Sequence, residues 1–162
     1  RLARAIVNLT GIQGRREVLV DPMCGSGGFL IEAGRMGLRY EGVEIDKAMY
    51  YRCVKNLKQE RRQTTKVILG DAARIKKKLH YVAVDLPYGK STKTKINALA
   101  PLYAAFLAML KRNLDGRAVV VFPHYVDHKS LLKKAQLTIK EEFSNYLHRS
   151  LTRKIVVIEK KR

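Results

Sequence analysis

The sequence is short of acidic side chains, of cysteine and of long apolar runs, and each shortage excludes something. Asp and Glu number 14 against 33 Lys and Arg, a formal net charge of +19 over 162 residues. The basic excess runs from Arg1 to Arg162 rather than sitting in one tail. The expected partner is therefore a polyanion, and charge alone leaves a nucleic acid and an anionic membrane surface both open. Only two cysteines occur, Cys24 and Cys53, and they lack metal-ligand spacing, so no metal is expected. No apolar secretory segment with a cleavage site stands near the N-terminus, which makes a reduced, cytoplasmic setting the default. No apolar run approaches the roughly 20 residues that span a bilayer, and the integral-membrane reading falls. Internal repeats and low-complexity segments are lacking too.

What is present is an alternation. Hydrophobic residues make up 46%, enough for one core, and 1–162 reads as a single domain opened by a helix over 1–10. Leu2, Ala5, Ile6 and Leu9 share a helical face ahead of the breakers from Gly11 to Gly14. Strand-like runs then alternate with helical patterns. Val18 to Val20 is followed by a helix after Gly27, and Gly42-Val43 by a helix from about Asp46 with Tyr50, Cys53, Val54 and Leu57 on one face. Val67 to Leu69 precedes a short basic helix; Val82 to Val84 precedes a helix with Leu102, Phe106, Met109 and Leu110, and Val119 to Phe122 follows. Such repetition predicts an α/β fold, a doubly wound and mostly parallel sheet with helices on both faces. Beyond a short helix near Ser130 to Lys134, two extended stretches, Leu137 to Tyr146 and Arg153 to Glu159, predict an antiparallel hairpin at one edge. The polar run Gly89 to Asn97 reads as the longest loop.

The turn after the first strand, Val20-Asp21-Pro22-Met23-Cys24-Gly25-Ser26-Gly27-Gly28, is rich in glycine. Glycines permit a sharp turn and close approach of a ligand, and the following helix N-terminus offers free N–H groups. On its own this fits a dinucleotide or a mere tight turn. Two later acids narrow it. Glu44, at the end of the second strand, can accept both hydroxyls of a ribose, and Asp71, after the third, can accept from an adenine amino group. Asp46 reads as a helix N-cap and Cys24 as a small packed side chain.

In this order and spacing, DPMCGSGG, VEID and GDA resemble the successive cofactor motifs of the Rossmann-like class I methyltransferases. The resemblance implies a seven-stranded sheet and S-adenosylmethionine as cofactor. It places Asp21 and the turn from Gly25 to Gly28 at the methionine part, Glu44 at the ribose and Asp71 at the adenine amino group, and counts Pro22, Cys24, Gly25, Gly27, Ile45, Ala72 and Asp85 among the cofactor-binding residues.

Asp85-Leu86-Pro87-Tyr88 follows the fourth strand, where open α/β sheets bind their ligands. It resembles the Asp-Pro-Pro-Tyr signature of methyltransferases acting on planar amino groups. An exocyclic amine is a weak nucleophile because its lone pair is delocalised into the ring. The Asp85 carboxylate and the Leu86 carbonyl can accept its two N–H bonds and stabilise developing positive charge, while Tyr88 stacks on the base. Leu86 stands where proline is commoner, so Leu86→Pro is expected to be tolerated. Lys90, Lys93 and Lys95 beside this loop are candidates for phosphate contacts to an extruded nucleotide. Arg61-Arg62, Lys76 to Lys78, Lys133-Lys134 and Arg153-Lys154 read as general electrostatics, and His124 as a loop or capping residue.

RLARAIVNLTG, DPMCGSGGFLIEA and DLPYG together resemble the catalytic domain of the archaeal tRNA (guanine-10-N2) methyltransferase family. That resemblance implies guanine N2 in tRNA as substrate. Members carry an RNA-binding THUMP region that these residues do not match, so a fragment of a longer protein or a detached catalytic domain, served by an RNA-binding domain or partner chain, is the expectation. The alternatives are a DNA adenine-N6 or ribosomal-RNA guanine-N2 methyltransferase, and a non-catalytic RNA-binding module on the same fold.

Overall fold

Strands buried on both faces need apolar side chains at every position, and the valine-rich runs supply them. In the computed structural model, which describes residues 1–60, 66–88, 93–148 and 151–159, such runs form β1 (Val18–Asp21), β4 (Leu79–Asp85) and β5 (Leu114–Pro123), beside β2 (Arg39–Glu44) and the largely exposed edge strand β3 (Lys66–Leu69). Two further strands, β6 (Ile139–His148) and β7 (Leu151–Glu159), complete a seven-stranded sheet of order β3-β2-β1-β4-β5-β7-β6. The first five pair in parallel; β7 runs antiparallel to β5, and β6 antiparallel to β7 at the edge.

The helices are α1 (Leu2–Leu9), α2 (Gly28–Arg35), α3 (Lys47–Gln59), α4 (Lys93–Asn113) and α5 (His128–Lys134). They cover two faces, and the period-two alternation of the strands decides which side chain goes where. Val82, Val84, Ala118, Val120 and Phe122 pack with Phe106, Met109 and Leu110 of α4 and Leu132 of α5. Their neighbours Ala83, Val119 and Val121 pack on the other face with Ile6 and Val7 of α1, Leu30 of α2 and Leu57 of α3. No described helix is long and apolar enough to cross a membrane.

Two expectations change. The basic helix after β3 is a single 3-10 turn, Ala72–Arg74, because the lysines that follow it, Lys76 to Lys78, offer no apolar face to bury. The run expected to be a loop as far as Asn97 is helical from Lys93, since polar composition marks exposure and not backbone state. Residues 89–92 lie outside the described residues.

The strand order reverses between β1 and β4, which opens a crevice at their carboxyl ends. Each of three strands ends in a carboxylate there: β1 in Asp21, β2 in Glu44 and β4 in Asp85.

Candidate active site

The glycine-rich turn is held from three sides. Gly25 and Gly27 have φ of +52° and +91°, a region where side chains are strained, and a Cβ at Gly27 would come 2.8 Å from Cys53 Sγ. Glu44, 8% exposed, clamps the turn: Gly25 N–H donates to its Oε2 at 2.8 Å and Asp46 N–H to its Oε1 at 2.7 Å. Cys24 N–H donates to the Val43 carbonyl at 3.0 Å, and Asn56 Nδ2 to the Ser26 carbonyl at 2.9 Å. Asp46 also caps α3 by accepting from Met49 N–H at 2.8 Å. A Cβ at Gly28 would meet nothing within 4 Å, and no side chain caps the N-terminus of α2.

Asp21 is 2% exposed, and its Oδ1 accepts from Met23 N–H at 3.2 Å. Burial pushes its carboxyl well above the usual range, and the nearby Asp85, Cys53 and Glu44 push the same way. Cys24 and Cys53 are buried with sulfurs 3.8 Å apart. That contact, with burial, pushes the Cys24 thiol up, which leaves a packed side chain and no thiolate nucleophile.

Asp85 is half-buried, and burial raises its carboxyl. Two contacts oppose the rise: the Tyr88 hydroxyl donates to Oδ1, and the Arg153 guanidinium lies 3.7 Å from Oδ2. Arg153 Nε also donates to the Tyr88 oxygen at 3.1 Å, with the guanidinium carbon 5.8 Å from the ring centroid. Burial and Asp85 together push the Tyr88 phenol up. Leu86 is packed in the core and its N–H donates to the Val121 carbonyl at 3.1 Å. A proline there would lose both, so the expected tolerance of Leu86→Pro does not fit the structure. The Pro87 carbonyl accepts from Tyr103 Oη at 2.7 Å.

Two cavities share Met23, Gly25 and Asp85. One, of about 400 Å³, lies under Leu2, Ala3 and Ile6 of α1, with Asp21, Gly28, Met49 and Arg153 among its walls. The other, of about 390 Å³, is bordered by Pro22, Glu44, Ile45, Asp71, Ala72 and Pro87, with Leu99 and Leu102 of α4. Ile45 is 69% exposed and Leu102 36%, large apolar side chains left open to the second cavity. Its charged residues are Glu44, Asp71 and Asp85, with no Lys or Arg among the described residues. Asp71 caps the 3-10 turn by accepting from Ala73 N–H at 2.9 Å.

The crevice thus brings together every expected cofactor residue except Gly27, which shapes the turn from behind. Lys90 lies outside the described residues. Lys93 and Lys95 open α4, and their side chains lie outside the described part as well. His124 sits at the junction of β5 and β7, its Nδ1 accepting from Thr152 N–H at 3.1 Å. Arg153 was expected to be general electrostatics and instead lines the site. Only the register of β7 on β5, Pro123 opposite Arg153, puts it there. The apolar face of α1 was visible in the sequence, but that it roofs a cavity was not.

Residues 1–155 match the model of the UPF0020 family, described as RMKL-like, methyltransferase domain. The chain belongs to this methyltransferase domain family. Among curated relatives it is 40% identical to a tRNA (guanine(10)-N2)-dimethyltransferase of Methanothermobacter thermautotrophicus, over 99% of this chain and 48% of that one. It is 34% identical to a Methanothermococcus thermolithotrophicus protein described as a probable enzyme of the same kind, over 99% of this chain and 98% of the relative. The chain spans about half the length of the first two curated relatives it matches, 48% and 49%. Among solved structures, TrmN from Thermus thermophilus superposes with a TM-score of 0.80 at 19% identity, over 99% of this chain and 48% of that one. At that identity the likeness concerns the fold, which is the Rossmann-like class I methyltransferase fold.

Proposed function

We propose that this methyltransferase domain uses S-adenosylmethionine to methylate the exocyclic N2 amine of guanine at position 10 of tRNA. The observation that carries the chemistry is the place of Asp85: at the end of β4, bordering both cavities, with Tyr88 and Arg153 fixed on its carboxylate. Base and position come from the names of the relatives.

The donor set fits the cofactor. A phosphate-bearing dinucleotide calls for basic or amide donors, whereas the second cavity presents three carboxylates in a chain of charge +19. Those acceptors suit a nucleoside with ribose hydroxyls, an amino group and cationic centres. Glu44 and Asp71 would hold ribose and adenine, Ile45 and Leu102 would flank the ring, and Asp21 would face the cofactor's cationic end. When bound, S-adenosylmethionine supplies an electrophilic methyl group on a sulfonium.

The chain's own residues do the rest. An ionised Asp85 and the Leu86 carbonyl accept the two N–H bonds of the base amine, aim its nitrogen, and stabilise the positive charge that grows on it. Tyr88 meets the base with its ring. Lys90, Lys93 and Lys95 would contact the flanking phosphates, and tRNA selection would draw on an RNA-binding domain or partner chain.

The test is transfer of radiolabelled methyl to unmodified tRNA transcripts, ribosomal RNA and duplex DNA, with and without a fused RNA-binding domain, followed by nucleoside analysis. The expected product is N2-methyl- or N2,N2-dimethylguanosine from tRNA. Label confined to DNA adenine or ribosomal RNA overturns the substrate. Cofactor binding with no label in any nucleic acid overturns catalysis.

A further inference from the structure

Arg153 belongs to none of the motifs above, yet it is the one basic side chain among the described residues lining the two cavities. It reaches the site from β7, opposite Pro123 at the end of β5. Its guanidinium makes three contacts there: Nε to the Tyr88 oxygen at 3.1 Å, Nη2 to Asp85 Oδ2 at 3.7 Å, and its carbon 5.8 Å from the Tyr88 ring centroid. Resting on the methyl-transfer reading, we infer that Arg153 is a positioning residue, which orients Tyr88 and, through the Tyr88 hydroxyl, the Asp85 carboxylate that receives the base amine.

A guanidinium has donors and no acceptor, so the Tyr88 oxygen must accept from Arg153 and its single proton is committed to Asp85. The direction of the whole relay is set by one residue. Rotation of Tyr88 is restricted at its hydroxyl and at its ring face together, which a lysine cannot do with one ammonium. Oδ1 of Asp85 is occupied by Tyr88, which leaves Oδ2 as the oxygen to meet the amine.

The same contact bears on charge. The groups facing Asp85 are Asp21 from β1, Tyr103 from α4, Tyr88 from its own loop and Arg153 from β7. Burial favours the protonated acid, and the Tyr88 hydroxyl opposes it. Arg153 is the cation that opposes it as well. A protonated Asp85 has no charge with which to stabilise the positive charge growing on the amine, so the rate should rise with pH as Asp85 ionises, and loss of Arg153 should move that rise to higher pH.

The test compares the parent with Arg153→Gln and Arg153→Lys in single-turnover methylation of tRNA across pH, with calorimetric binding of S-adenosylhomocysteine as the check on folding. Arg153→Gln is expected to bind that ligand within a few-fold of the parent, to lose roughly ten- to a hundredfold in rate, and to show its acidic limb at higher pH. Arg153→Lys is expected to return the limb towards the parental position and to recover only part of the rate. Parental rate and limb in Arg153→Gln would overturn the assignment. If Arg153→Gln fails to bind the ligand, Arg153→Lys decides, and a parental rate in it would overturn the assignment. A readout independent of turnover is the 13C resonance of the Tyr88 phenol carbon in tyrosine-labelled protein, identified by its loss in Tyr88→Phe. Its acid-range midpoint should rise in Arg153→Gln. If the parent methylates no base amine, the methyl-transfer reading fails on its own, and this resonance still judges Arg153: an unmoved midpoint counts against it.

Discussion

In the proposed methyl transfer Asp85 meets two opposing demands. It would have to be buried enough to exclude water from the reacting amine, and burial favours the neutral acid, which lacks the charge that the proposed role needs. Tyr88 and Arg153 favour the carboxylate and so oppose the effect of burial, which still holds the carboxyl above its usual range. Asp85→Asn keeps the shape and removes the charge, so methyl transfer should fall about 100- to 1,000-fold while S-adenosylhomocysteine binds within a few-fold of the parent. Parental turnover in single-turnover assays contradicts that role. Asp21 has the opposite balance, because burial raises it and the backbone N–H of Met23 compensates only in part. Its folded-state pKa lies above the unfolded value, so the protonated form suits the fold, and that contribution is full below the unfolded pKa and lost as pH rises through the folded one. Asp21→Asn should therefore melt above the parent by a margin that widens as pH rises through that window, each kcal/mol moving the midpoint by roughly 2–4 °C at this size. It should also weaken S-adenosylmethionine, a cationic ligand, more than it weakens S-adenosylhomocysteine. A margin independent of pH, or equal loss of both ligands, counts against this reading.

Among the elements, the clamp of Glu44 on the glycine turn changes what a mutation there reports. Read from the sequence, Glu44 is a ribose acceptor; in the structure its two oxygens already hold Gly25 and Asp46. Glu44→Gln replaces one acceptor with a donor facing an N–H, and should cost about 1–3 kcal/mol of stability together with cofactor affinity. Thermal unfolding and calorimetry on the same samples check it: lost affinity at an unchanged melting point would make Glu44 a ligand contact alone. The strands were legible because burial on both faces needs unbroken apolar runs such as Val119 to Phe122. The glycine turn and Asp85 to Tyr88 were legible because each is local in the chain. Arg153 was not, because it reaches Tyr88 across 65 residues by way of the β5–β7 register. The start of α4 was missed because its first turn is polar and Pro101 lies inside it. The pairing of β7 between β5 and β6 depends on contacts between distant segments, which no local periodicity encodes.

At the scale of the whole molecule, charge is segregated. A chain of net charge +19 places Asp21, Glu44, Asp71 and Asp85 around its two cavities. In the proposed function the basic excess would draw a phosphate backbone, and the acidic crevice would exclude phosphate while accepting cations and amines. RNA affinity should then fall linearly in log-log form with salt, by roughly 0.7 per single-strand phosphate contact, so that about five contacts cost near 100-fold between 50 and 200 mM. Filter binding of tRNA across that range checks it, and a flat response contradicts the electrostatic reading. The most direct measurement for the proposed activity uses two tRNA transcripts that differ in one group: guanosine at position 10, or inosine, which lacks the N2 amine and keeps the rest of the base. With saturating S-adenosylmethionine, the guanosine transcript should gain N2-methylated guanosine and the inosine transcript should take up no label. Equal label in both would place the methyl group elsewhere and contradict the assignment of Asp85 to the N2 amine of that base.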